Sequence, residues 1–212
     1  MFVFIKRIMD VILALIGMIL LFPLLIFIYI IIKIDSKGSA LFLQKRVGKG
    51  KRSFYILKFR TMRIDTPEEI PTHLLEDPEY YITRIGRILR RTSLDELPQL
   101  WNILLGHMSI VGPRPALWNQ FDLIQERDKF GANDIRPGLT GLAQVSGRDE
   151  LLIGEKARLD GEYVKRMSFL FDCRCIMWTF KIILNQEGFV EGKGRVNQVD
   201  SFEGNVNNKE AM

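Results

Sequence analysis

Residues 11 to 32, VILALIGMILLFPLLIFIYIII, carry no charged or strongly polar side chain. As a helix this run reaches about 33 Å, enough for the hydrocarbon core of a bilayer. A secretory leader has a shorter apolar region and a small-residue cleavage site, and neither feature is seen, so the segment is expected to be retained. Pro23 stands mid-run, where a proline deletes one helix hydrogen bond and crowds the preceding turn. Lys6 and Arg7 flank one end of the run, and Lys33, Lys37, Lys45 and Arg46 the other. Cytoplasmic flanks carry the Lys/Arg excess, so basic residues at both ends suit a re-entrant helix that breaks at Pro23 and returns to the same side. A straight, single-spanning anchor that tolerates its proline fits the run as well. Asp10 marks the N-terminal edge, four residues from Lys6 and on its helical face.

Charge is as uneven as hydropathy. Residues 33 to 65 hold ten Lys/Arg against Asp35 and Asp65, a local net of +8 in a chain whose net charge is +5. Next to a membrane segment, such a patch attracts anionic headgroups or phosphate-bearing ligands; the plain alternative is a solvated basic face. Cys173 and Cys175 are one residue apart, a poor geometry for a disulfide. His73 and His107 have no His or Cys at ligand spacing, which argues against zinc chemistry. A metal would have to be a hard ion held by carboxylates. The chain contains no internal repeat, no Walker sequence and no GxGxxG, which removes the familiar triphosphate and dinucleotide sites.

The pattern of elements reads as a membrane-associated α+β protein. We expect a membrane helix over 1–34, a mainly helical cytosolic domain with a small β-hairpin over 35–184, and a loose tail over 185–212. Alternating stretches Ala40 to Lys45 and Ser53 to Met62, parted by Gly48-Lys49-Gly50, form the hairpin. Residues 67 to 80, acidic and Pro-bearing, suggest a surface loop or short helix. A helix over Thr83 to Arg91 has Ile85, Ile88 and Leu89 on one face and Arg84, Arg87 and Arg91 on the other. Another covers Leu94 to Leu105 and ends at Gly106. There follow a strand at Met108 to Val111, a Pro-rich corner, a helix near 117 to 130, a Gly/Pro loop with strand at Arg136 to Val145, and a helix over 155–166. Phe169 to Leu184 is apolar apart from Asp172 and the stripe Arg174, Trp178, Lys181, which suits either an interfacial amphipathic helix or a buried one.

Ser93-Leu94-Asp95-Glu96-Leu97-Pro98 puts two carboxylates at a helix start behind an arginine-rich helix. Ser93 and Glu96 fit a capping box, with Asp95 as a first-turn acid favoured by the helix dipole. A cap at Asp95 would instead place Pro98 where proline is permitted. The same arrangement also does chemistry: an ionised carboxylate among Arg, Lys and helix-end amides can attack phosphorus, and its neighbour can act as base or as a magnesium ligand. Gly112-Pro113-Arg114-Pro115 fixes Arg114 between two prolines, either to aim a guanidinium or as a rigid corner. In Lys58-Phe59-Arg60-Thr61, alternation places Lys58 and Arg60 on one strand face, suited to clamping phosphates or to solvent.

Together these strings resemble the bacterial sugar transferase family, monotopic phosphoglycosyl transferases that act on polyprenyl phosphate. The resemblance covers roughly residues 4 to 184. It rests on Lys6-Arg7 with Asp10 before a Pro-broken apolar run, Gln44-x-Arg46-x-Gly48, Lys58-Phe59-Arg60-Thr61-Met62, and Ser93 through Leu100 with Asn102. It continues in Gly106-x-Met108-Ser109-x-Val111-Gly112-Pro113-Arg114-Pro115, Arg136-Pro137-Gly138-Leu139-Thr140-Gly141, Gln144-Val145-x-Gly147-Arg148 and Asp160-x-x-Tyr163-Val164. Phe22 departs from the pattern, which has Ser before the proline.

The resemblance implies transfer of a sugar phosphate from a UDP-sugar to undecaprenyl phosphate with release of UMP, the first membrane step of a bacterial surface glycan. It implies Asp95 as the nucleophile of a covalent phosphosugar intermediate, assisted by Glu96, with Mg²⁺ near both. Arg114, Lys58, Arg60 and Arg136 are the candidate substrate-binding cations, and Lys6, Arg7 and Pro23 the membrane-segment residues. It places the chain in the bacterial inner membrane with its catalytic domain toward the cytoplasm. A homo-oligomer is left open. A tethered scaffold held by the basic segment is the competing reading, and nucleic-acid binding, which has no recognisable module here, ranks last.

Overall fold

The computed structural model describes residues 2–66, 77–147 and 151–185. The C-terminal tail expected from the sequence, and most of the acidic stretch at 67 to 80, lie outside these residues; from the latter, a short helix α2 (Pro78–Tyr81) is described, capped by the Asp77 carboxylate.

Helix α1 (Phe2–Asp35) is the longest element, and its helical backbone continues on both sides of Pro23. The expected break is therefore not a gap in the helix; the one deleted hydrogen bond is tolerated, as it is in many membrane helices. At about 51 Å, its 34 residues exceed the thickness of a bilayer core. Only a narrow stripe of α1 is buried: Lys6, Asp10, Ala14, Ile28 and Ile32. The remaining surface bares large apolar side chains, including Ile19, Leu20, Phe22 and Phe27. A soluble protein does not leave such a face uncovered.

The buried stripe is part of the domain's core from one end to the other. Ala14 packs with Phe54, Ile56, Leu100, Ile103 and Met108, while Ile28 and Ile32 pack with Ala40, Phe59 and Leu89. Both ends of α1 are therefore held by the same domain.

The hairpin forms as expected, with β1 (Leu41–Val47) antiparallel to β2 (Ser53–Phe59) in a register from Leu41 opposite Phe59 to Val47 opposite Ser53. After β2 comes α3 (Arg84–Arg91), capped by the Thr83 hydroxyl. Its apolar face is narrower than expected, since Leu89 is buried and Ile85 partly so, whereas Ile88 is more than half exposed. The close approach of α3 to the chain after β2 passes through Gly86: a Cβ there would lie 2.0 Å from the Thr61 carbonyl oxygen, so any larger residue would push the helix away.

The helix expected over 94–105 is split into a 3-10 turn at Leu94–Glu96 and α4 (Gln99–Leu104), with Pro98 at the N-cap of α4. Proline belongs at a helix start and breaks an interior, and the chain obeys that rule here. Beyond α4, β3 (Ser109–Val111) pairs in parallel with β4 (Gly138–Thr140). Between them lies α5 (Phe121–Asp128), shorter than the expected helix because Asn133 turns back to donate to the Ile124 carbonyl and the Asp128 carboxylate. Then come α6 (Leu142–Ser146), α7 (Ile153–Arg166) and α8 (Phe169–Asn185). A third core of Val111, Leu142, Tyr163, Phe171 and Cys175 joins this half. On α8, Phe169, Leu170, Met177, Trp178, Phe180 and Leu184 are exposed and Phe171 and Cys175 buried, so the helix has two faces.

Candidate active site

Asp95 and Glu96 sit in the 3-10 turn, whose entry residue Ser93 is left-handed (φ 56°, ψ 17°) and makes no side-chain cap. The capping box is thus absent. Its acid is used elsewhere: Glu96 Oε1 accepts from Lys58 Nζ at 2.7 Å and from Arg114 Nη2 at 2.9 Å. Adjacent residues in a helical turn diverge by roughly a quarter to a third of a circle, so the two carboxylates point apart. Asp95 is 9% exposed, and among the described residues its carboxylate accepts no hydrogen bond and makes no ion pair.

The electrostatics separate the pair. Burial, reinforced by the charge of Glu96, pushes the Asp95 carboxyl up to about 6, against the pull of Lys58, Arg90 and Arg114. Burial also acts upward on Glu96, but Arg114 and Lys58, by charge and by hydrogen bond, hold it well below the usual carboxylate range. Lys58 is itself lowered, mainly by burial and further by Arg114 and Arg46. Lys58, Arg90 and Arg114 thus act together on this pair of carboxylates, and such a positive surrounding suits a phosphate-bearing ligand.

Of the six residues expected at the site, the structure gathers Asp95, Glu96, Lys58 and Arg114. Arg60 and Arg136 are elsewhere. The β2 ladder ends at Phe59, so strand alternation no longer fixes Arg60; its guanidinium turns to the C-terminal end of α1 and donates to the Ser36 and Lys37 carbonyls. Arg136 Nε donates to the Gly106 carbonyl at 2.9 Å, beyond the far end of α4. Lys6 and Arg7 bind the domain instead of standing free at a membrane flank: Lys6 pairs with Asp172 at 2.6 Å, and Arg7 donates to the Ile103 and Leu104 carbonyls.

Arg90 is not among the residues the sequence singled out, and Asn102 entered only as part of a motif, with no role. Arg90 lies four residues after Gly86, on the face that touches the chain after β2, and its Nε donates to Thr61 Oγ1 at 2.9 Å. A glycine inside an arginine-rich helix was the available signal. Asn102 pins β2 from α4, accepting from Leu57 N at 2.9 Å and donating to Tyr55 O at 2.8 Å, which fixes the strand beside Lys58.

No group of three or more His, Cys, Asp or Glu side chains placed to hold a metal occurs among the described residues. Magnesium is commonly held by one or two carboxylates together with substrate phosphates. Asp95, whose oxygens have no partner among the described residues, with Glu96 beside it, fits that type of ligation.

Residues 1–186 match the family described as bacterial sugar transferase. The chain belongs to that family. Relatives include the exopolysaccharide production protein PSS of Rhizobium leguminosarum bv. phaseoli, 42% identical over 82% of this chain and 92% of that protein. The UDP-glucose:undecaprenyl-phosphate glucose-1-phosphate transferase of Xanthomonas campestris pv. campestris is 39% identical over 88% of this chain. The UDP-N-acetylgalactosamine-undecaprenyl-phosphate N-acetylgalactosaminephosphotransferase of Aeromonas hydrophila is 37% identical, also over 88% of this chain. The chain spans only 40% and 45% of the lengths of these last two.

Proposed function

We propose that this sugar transferase moves a sugar-1-phosphate from a UDP-sugar to undecaprenyl phosphate and releases UMP, through a covalent intermediate on Asp95. The observation that carries the reading is a buried carboxylate, without a hydrogen-bond or ion-pair partner among the described residues, that feels the charges of Lys58, Arg90 and Arg114. In the first step an Asp95 oxygen attacks the sugar-bearing phosphorus; the new carboxyl–phosphorus bond forms as the bond to UMP breaks. In the second, an oxygen of undecaprenyl phosphate attacks the same phosphorus, the carboxyl–phosphorus bond breaks, and Asp95 is restored. Lys58 and Arg114 lessen repulsion between the attacking carboxylate and the diphosphate. Glu96, held strongly ionised, is a poor base, and we assign it to aligning those two cations. Magnesium bound by Asp95 and Glu96 would add charge neutralisation on the phosphates.

The anchoring of both ends of α1 to one domain supports the re-entrant reading over a spanning one: a helix that crossed the bilayer would carry one of its docked ends to the far side. With positive flanks at both ends, we assign the domain to the cytoplasmic face of the inner membrane. The relatives' names point to a surface glycan such as an exopolysaccharide as the destination of the sugar.

The test uses membranes bearing the protein, undecaprenyl phosphate, Mg²⁺ and a panel of UDP-sugars, with UMP release measured. One donor should release UMP, EDTA should stop it, and Asp95→Asn should be silent while still folded. Turnover by folded Asp95→Asn would sink the nucleophile assignment. No UMP from any donor would favour the scaffold reading.

A further inference from the structure

Two arginines converge where α4 ends. Arg7 Nη1 and Nη2 donate to the Ile103 and Leu104 carbonyls at 2.6 and 3.0 Å, and Arg136 Nε donates to the Gly106 carbonyl at 2.9 Å. C-terminal carbonyls attract cations, which explains these three bonds. It does not explain why two guanidiniums that repel one another are brought together there. Each guanidinium has five N–H donors, so most donors of the pair remain unused among the described residues, and none of its nitrogens is a buried atom lacking a partner. Arg7 Nε and the two Nη atoms of Arg136, which make no bond among the described residues, are therefore not buried.

Large apolar side chains flank that surface. Val3 and Phe4, one turn before Arg7 on α1, are exposed, as are Trp101 and Leu105, one turn apart at α4. Unused guanidinium donors beside bare apolar side chains complement a phosphate attached to acyl chains. We propose that Arg7 and Arg136 form a binding site for the phosphate of an anionic membrane phospholipid whose chains lie over Val3, Phe4, Trp101 and Leu105. The site rests on the membrane placement of α1 and is separate from the reaction: α4 itself rises about 9 Å between it and the turn that carries Asp95. A phospholipid held here braces the end of α4, the helix from which Asn102 pins β2.

The test is lipid retention, read by native mass spectrometry after the full-length protein is released from nanodiscs of phosphatidylcholine with or without phosphatidylglycerol. Wild type should keep one phosphatidylglycerol that Arg136→Gln loses, with retention falling about fivefold or more for the lost cation. Arg114→Gln, altered at the catalytic cations, should keep it, and Arg136→Lys should retain an intermediate amount. Equal losses in Arg114→Gln and Arg136→Gln would place the lipid at the catalytic cations and overturn the proposal. So would retention of phosphatidylglycerol unchanged in Arg136→Gln, or displacement of that lipid by undecaprenyl phosphate at equal concentration. Because the readout needs no turnover, it fails independently of the transferase assignment.

Discussion

The molecule buries two clusters of charge and treats them differently. In the first, Lys6, Asp10, Asp172, Ser109 and Tyr163 knit α1 to α7, α8 and β3. Asp10 accepts from Ile110 N at 3.0 Å and Ser109 Oγ at 2.7 Å, and Asp172 from Tyr163 Oη at 2.7 Å and Lys6 Nζ at 2.6 Å, so each carboxylate oxygen has a donor. In the second, Glu96 is paired with Lys58 and Arg114 while its neighbour Asp95 has no partner among the described residues. A saturated network fixes geometry; an unpartnered buried carboxylate costs stability and remains available to react. The same residue types serve as a fastener in one place and as a reagent in the other.

The comparison breaks most visibly at Asp95. Asp95→Asn should cut UMP release by on the order of 10⁴-fold or more while leaving the melting transition at or above that of wild type; a large loss of stability with activity retained would reverse the two roles. Asp172→Ala, which strands Lys6 in a buried site, should cost about 3–5 kcal/mol of stability, measured by thermal or denaturant unfolding in a fixed detergent. Arg114→Gln sharpens the second cluster, with kcat expected to fall about 10²–10³-fold and unfolding little changed, since Arg114 is partly exposed. The smallest effect is Tyr163→Phe, which removes the hydroxyl donor of Asp172 at about 1–3 kcal/mol, with turnover per folded molecule unaltered. A drop in turnover there would show that the fastening cluster also shapes the site.

Much of this was legible from the residues, and the failures have physical causes. The hairpin and the short strand at Ser109–Val111 follow from alternation, which local sequence carries, whereas the spacing of α8 left an interfacial and a buried helix both open. Asp95, Glu96, Lys58 and Arg114, which dense motifs surround in the sequence, come together in the structure. Arg60 was misplaced because alternation holds only while the ladder lasts. Arg136 and Arg7 were assigned to substrate and membrane flank, whereas carbonyls at the end of α4, invisible to sequence spacing, receive both. Ser93 and Glu96 satisfied the capping-box pattern, yet Lys58 and Arg114, 38 and 18 residues away in sequence, compete for the acid and win. Partners supplied by distant chain segments decide such cases, and no local rule records them.

The narrow buried stripe of α1 has a practical meaning for anyone wanting this protein in aqueous solution. Cutting the chain after Asp35 would remove Ala14 from one core, Ile28 and Ile32 from another, and Lys6 and Asp10 from the fastening network. The remainder would be an open half of a domain and would aggregate. The route to a water-soluble version keeps the helix and redraws its outer face, exchanging Ile19, Leu20, Phe22 and Phe27 for charged residues while leaving the stripe untouched.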